Sequence, residues 1–122
     1  MICGIGIDIC DIERMKKALS RGGFAERVFS PAEIDYAGEG EAAAAHFAAA
    51  FAAREALAKA GGWGLASIGL GACEVLRSER GPAFNFSGEF RRRLEERGVK
   101  RVFLSITHEA GVAAAVVVLE GD

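Results

Sequence analysis

The chain has 122 residues, 51% of them hydrophobic and 26% charged, with a formal net charge of −2. That length suits one domain, 1–122, burying roughly two thirds of its unfolded surface, and the mix of apolar content and low net charge excludes a disordered chain. No apolar run approaches the roughly 20 residues needed to cross a bilayer, so neither a membrane nor a nucleic acid is expected as a partner.

The opening segment ICGIGIDI alternates with period two, which puts Ile5, Ile7 and Ile9 on one face of a strand and Gly4, Gly6 and Asp8 on the other. Two glycines on one strand face signal close approach by another backbone or by a ligand, so this face reads as a pocket floor carrying an acid. Asp8 could cap the helix that follows. Asp11 is better placed for that task, just ahead of Ile12, Met15 and Leu19, and Asp8 is left without a local role.

That helix is predicted from about Ile12 to Ser20, with Arg14, Lys17 and Arg21 on the face opposite its apolar stripe. The basic stripe is either a solvated face or a docking surface for an acidic partner. Ser30, Pro31 and Glu33 form a capping box with proline at the first helical position, so a short helix begins there and stops by Gly38 or Gly40. The alanine-rich segment from about Glu41 to Ala60 is the longest helix, about 30 Å at 1.5 Å per residue, and Gly61 and Gly62 end it. His46, among these alanines, is read as a packed or partly exposed histidine.

Strands follow at Ala72 to Arg77 and Ala83 to Phe86, around a turn at Gly81 and Pro82. A charged helix from about Gly88 to Arg97 stops at Gly98, and a hairpin joins Arg101–Thr107 to Val112–Leu119 through Glu109, Ala110 and Gly111. The last strand, AAAVVVLE, is apolar on both faces, which predicts a central strand or one buried against another chain.

Within the long helix, FAAREALAKA places Glu55 and Lys59 one turn apart in an otherwise apolar run. Phe47, Phe51 and Ala58 form the apolar stripe, with Glu55 at its edge and Lys59 just beyond. One reading is an ordinary i, i+4 pair contributing roughly 0.3 to 0.5 kcal/mol. The other is a carboxylate and an ammonium that hold a metal and a phosphate, and the unemployed Asp8 favours it.

Cys3, Cys10 and Cys73 make neither a CxxC pair nor an even disulfide set and are read as small buried hydrophobes. With only His46 and His108 available, a histidine-rich zinc site is not expected, so any metal should be a hard cation with oxygen ligands. The start MICGIGID carries no basic segment or cleavage pattern of a signal peptide, and a cytoplasmic location is expected.

Three ordered segments, GIGIDI with Asp8, FAAREALAKA with Glu55 and Lys59, and SITH with Ser105, Thr107 and His108, together resemble holo-acyl-carrier-protein synthases, the small class of 4'-phosphopantetheinyl transferases. The resemblance covers nearly the whole chain, including FAERVFSPAEID. It implies an α+β fold with a long central helix packed on an antiparallel sheet, a homotrimer with active sites between subunits, and magnesium-dependent transfer of phosphopantetheine from coenzyme A to a serine of acyl carrier protein. By the same resemblance Asp8 and Glu55 correspond to magnesium ligands and Lys59 to the phosphate-contacting lysine. Ser105, Thr107 and His108 correspond to the strand-end motif beside coenzyme A, and Arg14, Arg21 and Arg27 to the carrier-docking surface. Three positions depart from the pattern: Arg54 stands where lysine is common, Ala50 where many members carry a phosphate-contacting arginine, and Val112 where tyrosine is frequent.

The implied reaction needs a base for the serine proton, and two candidates stay open: Glu55 through a water, or His108 by direct contact. Two other classes of function are a non-catalytic module binding coenzyme A or carrier protein, and a magnesium-dependent phosphohydrolase acting on a nucleotide.

Overall fold

The computed structural model describes residues 1–65, 68–69 and 72–122. The elements run β1 (Ile2–Asp11), α1 (Ile12–Leu19), α2 (Phe24–Val28), α3 (Pro31–Ala37), α4 (Ala43–Gly61), β2 (Cys73–Ser78), β3 (Gly81–Phe86), α5 (Gly88–Glu96), β4 (Arg101–Glu109) and β5 (Val112–Glu120). The α+β class is as expected. β1, β5 and β4 form an antiparallel sheet with β5 in the middle, and β2 and β3 form a separate antiparallel hairpin. The two-sided apolar pattern of the last strand therefore reflects a central strand.

Helix α4 is the axis of the fold. Thirteen of its residues, from Ala44 to Gly61, are buried, including Ala48, Ala52, Ala53, Ala56 and Leu57. A helix covered nearly all round is a core helix, and alanine makes this one thin enough to be approached closely. One face lies on β1 and β5, where Ala113, Ala115, Val117 and Leu119 are buried beneath it. Its flanks take α1, α3 and β2. Phe29 meets Phe47 with ring centroids 4.7 Å apart, and both rings are buried.

The glycine face of β1 meets this helix directly. A β-carbon on Gly4 would collide with the Ala60 carbonyl oxygen, and one on Gly6 with that of Ala56. Two strand residues advance about 6.8 Å and four helical residues about 6 Å. Gly4 over Ala60 and Gly6 over Ala56 are thus successive contacts of two nearly matched repeats. What reads from sequence as a pocket floor is a helix seat, and only Asp8, the next residue on that face, emerges beyond it.

The opposite face of the sheet is open. Ile5, Ile7 and Ile9 are 66%, 64% and 64% exposed, and Phe103 on β4 is 51% exposed.

Local signals set most boundaries. The Asp11 carboxylate accepts from the Arg14 N–H at 2.9 Å and caps α1, which frees Asp8. Both halves of the Ser30–Glu33 capping box form. Gly62, in the left-handed region at φ 69°, closes α4. Ala110 and Gly111 both have positive φ, the signature of a two-residue turn that matches strand twist, so β4 runs two residues beyond its expected end at Thr107.

Elsewhere the structure corrects the reading. Helix α2 has no side-chain cap and was not anticipated. The turn of the β2–β3 hairpin is at Glu79 and Arg80, with Arg77 paired to Pro82 and Ser78 to Gly81. Ser78 closes it, its hydroxyl accepting from the Arg80 N–H and donating to the Gly81 carbonyl. Of the cysteines only Cys73 is buried; Cys3 is exposed and Cys10 half-buried.

Arg54 points into the core, where it is 5% exposed. It donates to Glu33 at 2.9 Å, to the Val28 carbonyl at 3.0 Å and to the Cys73 carbonyl at 3.3 Å. Glu33 also accepts from the Val75 N–H at 2.9 Å and the Ser30 N–H at 2.9 Å. One buried ion pair therefore joins α2, α3, α4 and β2. Removing one partner of such a pair typically costs 3–5 kcal/mol because a buried charge is left alone. Arginine's fork serves several acceptors at once, which a lysine ammonium at the end of a single stem does less well.

Gly6→Ala should lower stability by about 3 kcal/mol, the upper part of the overpacking range, because its new methyl meets backbone and not a movable side chain. The urea unfolding midpoint measures this, and an unchanged midpoint would show that β1 is not seated as described.

Candidate active site

Asp8, Glu55 and Lys59 converge where β1 leaves the helix seat. Lys59 Nζ lies 2.8 Å from Asp8 Oδ1 and 3.2 Å from the Ile7 carbonyl, so the ammonium is held by strand β1 as well as by its own helix. The Asp8 side chain is 12% exposed and that of Lys59 is 58% exposed. The bond to Asp8 raises the pKa of Lys59, which keeps it cationic at neutral pH.

Glu55 is half-buried beside Asp8. Burial, a hydrogen bond to Asp8 and repulsion from the Asp8 charge push its pKa up, and Lys59 and Arg14 offset part of the rise. Two carboxyl groups this close, one of them partly buried, form a place where a divalent cation is favoured, since it relieves both desolvation and repulsion. Among the described residues no group of three or more histidine, cysteine, aspartate or glutamate side chains could hold a metal ion. A two-carboxylate site fits a cation that keeps its waters and shares substrate phosphates, as magnesium does, and does not fit a closed protein cage.

A cavity of about 500 Å³ opens from this cluster, lined by Glu55, Ala58, Lys59, Gly62, Trp63, Gly64 and Leu65. Trp63 packs edge-on against Phe90 at 5.1 Å and lies under Arg97 at 5.2 Å. Trp63 and Leu65 were missed as wall residues. The tryptophan directly after the glycines that end α4 was the available signal.

On the other side of Glu55, Arg14, Lys17 and Arg21 rim a second cavity of about 340 Å³ whose walls include Cys10, Met15, Ala18, Phe24 and Phe51. Arg14 acts electrostatically on both Glu55 and Cys10, so the charge of the basic rim is felt at the acid pair. Arg27 is apart from this rim, its guanidinium donating to the Gly22 carbonyl at 3.4 Å. Burial raises the pKa of the Cys10 thiol.

The strand-end residues do not join the cluster within one chain. Cys10, Ala113 and His108 lie in one row across β1, β5 and β4, so His108 is two strands, roughly 10 Å, from the strand that carries Asp8. Its electrostatic neighbour is His46 on α4. Ser105 and Thr107 pair with Val116 and Ala114, in the same rows as Ile7 and Ile9, and so belong to the open face of the sheet.

The comparisons agree with this architecture. Residues 4–117 match the family model described as 4'-phosphopantetheinyl transferase superfamily. A holo-[acyl-carrier-protein] synthase from Syntrophus aciditrophicus is 42% identical, covering 99% of this chain and 98% of that one. Another from Cutibacterium acnes is 43% identical over 99% of this chain and 100% of its own. Among solved structures, the synthase from Neisseria meningitidis matches with a TM-score of 0.87 and 33% identity, covering 98% of this chain and 99% of that one. The Bacillus anthracis synthase, solved in complex with CoA (3',5'-ADP), matches at 0.81 and 36% identity, covering 100% and 99%. With an acid pair and a lysine at the mouth of a cavity, on a fold shared over nearly its whole length, this chain belongs to the 4'-phosphopantetheinyl transferase superfamily and, within it, to the holo-acyl-carrier-protein synthases.

Proposed function

We propose that this enzyme moves the 4'-phosphopantetheine group of coenzyme A onto a serine of apo acyl carrier protein, releasing 3',5'-ADP, with magnesium held by Asp8 and Glu55. The abutting carboxyls of Asp8 and Glu55, with Lys59 bonded to Asp8, carry this reading. The solved relative complexed with CoA (3',5'-ADP) supports the nucleotide part of it.

The chemistry follows from what each residue can do. The carrier serine oxygen bonds to the phosphorus that bears pantetheine, and the bond from that phosphorus to the bridging oxygen breaks, leaving the oxygen on 3',5'-ADP. Bound magnesium supplies charge neutralisation on the pyrophosphate. Lys59 places a point charge against the same phosphates, and its grip on Asp8 and the Ile7 carbonyl fixes where that charge sits. Glu55 is the carboxyl of this chain positioned to take the serine proton through a water. His108 could do so only from a neighbouring copy, given its distance across the sheet.

The basic rim of Arg14, Lys17 and Arg21 suits an acidic carrier, and its apolar floor suits one apolar side chain of that partner. Arg27, on α2 and apart from that rim, adds a separate positive charge to the proposed docking face. We further propose a homotrimer in which the isoleucine face is covered and Ser105, Thr107 and His108 complete the coenzyme A site of a neighbour. A row of isoleucines left exposed on three successive alternate positions supports an interface there. Three cysteines without a disulfide fit a cytoplasmic setting, and no helix among the described residues is long and apolar enough to cross a membrane.

Glu55→Ala should abolish magnesium-dependent mass gain of apo carrier protein while coenzyme A and carrier are both present, with the oligomer unchanged; undiminished labelling would remove Glu55 from the mechanism. An unchanged carrier with retained coenzyme A binding by the wild-type chain would favour a non-catalytic module, and nucleotide breakdown without carrier a hydrolase. Arg14→Glu should raise the KM for carrier roughly tenfold at low salt, an effect that fades as salt rises, with coenzyme A affinity unaltered. If only coenzyme A binding changed, the docking assignment would be wrong. Ile7→Asp should convert the assembly to single chains in sedimentation velocity, and a wild-type chain that already sediments as a monomer would end the trimer proposal.

A further inference from the structure

A third cavity, a groove of about 290 Å³, shares no wall residue with the two described above. It arises where two sheets fail to join: β3 and β4 lie next to each other, yet no ladder links them among the described residues. Helix α5 forms its third side. Phe84, Phe86, Leu94, Val99 and Val102 make the walls, and of these Leu94 and Val99 are buried while the two rings and Val102 are half-buried. Arg91, Glu95 and Lys100, all exposed, stand at the rim.

The aromatic wall continues inward. Phe84 stacks on Phe86 with centroids 5.4 Å apart, Phe86 stacks on Phe90 at 5.4 Å, and Phe90 meets Trp63 edge-on at 5.1 Å. Trp63 is a wall of the cavity that holds Glu55 and Lys59. Four rings in contact thus run from the groove to the active-site cavity.

We propose that the groove is a second ligand site, for an amphipathic carboxylate with an unbranched chain of about eight carbons, and that its occupancy is transmitted to the active-site cavity through the column of rings.

Size, charge and packing support this. At roughly 30 Å³ per water the groove has room for about ten non-hydrogen atoms, too few for a segment of a partner protein and enough for octanoate. The walls offer only apolar surface to a chain. Among the described residues the ion pairs are Arg54–Glu33, Lys59–Asp8 and Arg101–Glu120, so neither Arg91 nor Lys100 is engaged in one. With Glu95 counted against them, the rim carries one net positive charge, which matches a monoanion, and the Arg91 fork suits a carboxylate. Phe90 is 1% exposed, so a ligand pressing on Phe84 and Phe86 displaces a ring that has no free space except toward Trp63.

Trp63 is the only tryptophan of the chain, and its fluorescence therefore reads the inner end of the column. Titration of the full-length wild-type chain with sodium octanoate should show saturable binding by calorimetry, at least roughly tenfold tighter than butyrate, which lacks four methylenes, and tighter than octylamine. The fluorescence should change along the same curve. Arg91→Glu combined with Lys100→Glu should remove both signals with the thermal midpoint retained. Phe86→Leu should keep the calorimetric binding and lose the fluorescence response; Phe84→Leu, at the outer end of the column, gives the same reading if the midpoint shows Phe86→Leu to be unfolded. Octylamine binding as tightly as octanoate, or no saturation by either, would overturn the site. Loss of octanoate binding in Arg14→Glu or Lys59→Ala would place the ligand in one of the other two cavities and also overturn it. Octanoate bound at the Arg91 and Lys100 rim without any change at Trp63 would overturn the transmission. None of these readings uses coenzyme A or carrier protein, so they stand or fall apart from the proposed transfer.

Discussion

The contact between the glycine face of β1 and the alanine face of α4 sets the position of everything that acts. With no side chain between them, the strand lies against the helix carbonyls at Gly4 and Gly6. The first residue on that face with a side chain is Asp8. It can only project past the contact, to where Glu55 and Lys59 leave the same helix. A bulkier pair of surfaces would hold strand and helix farther apart, and neither the ammonium nor the second carboxyl would reach Asp8. The thinness of both elements thus has a chemical consequence, because it concentrates two acids and one base within hydrogen-bonding reach where the strand leaves the helix.

That contact needs a helix that does not rotate, and the Arg54–Glu33 pair supplies the restraint from the opposite side. Arg54 and Glu55 are adjacent, so they point about 100° apart around α4. Arg54 is fixed in the core to α2, α3 and β2 while Glu55 faces the open site. Turning the helix to misplace Glu55 would drag a buried charge off its acceptors. One guanidinium nitrogen, Nε, stays without a partner in this network, a local cost tolerated beside several satisfied bonds. Arginine at position 54 is in this light a choice about the core, separate from the reaction itself.

Some of this was legible in the residues. Period two in ICGIGIDI placed Asp8 with the glycines, the Asp11 cap followed from the pattern after it, and the Ser30–Glu33 capping box formed as its spacing required. These depend on neighbours three or four residues away, where the chain's own geometry decides. Glu33 illustrates the limit. Its spacing from Ser30 disclosed the cap but gave no hint that the same carboxylate would receive Arg54 and the Val75 N–H. His108 illustrates it again: its motif was visible, but its separation from Asp8 by the width of β5 was not.

By itself the sequence determined the elements and which side chains share a face, because backbone periodicity and capping chemistry are short-ranged. It also carried the family, through three motifs whose order and spacing are hard to match by chance. Only the tertiary structure decided which faces meet: that the glycines seat a helix and not a ligand, that the isoleucines are left in water, and that Phe84, Phe86, Phe90 and Trp63 line up as one column. Such meetings depend on contacts between residues far apart in the chain, and no local repeat encodes the strand order or the depth to which one element sinks against another.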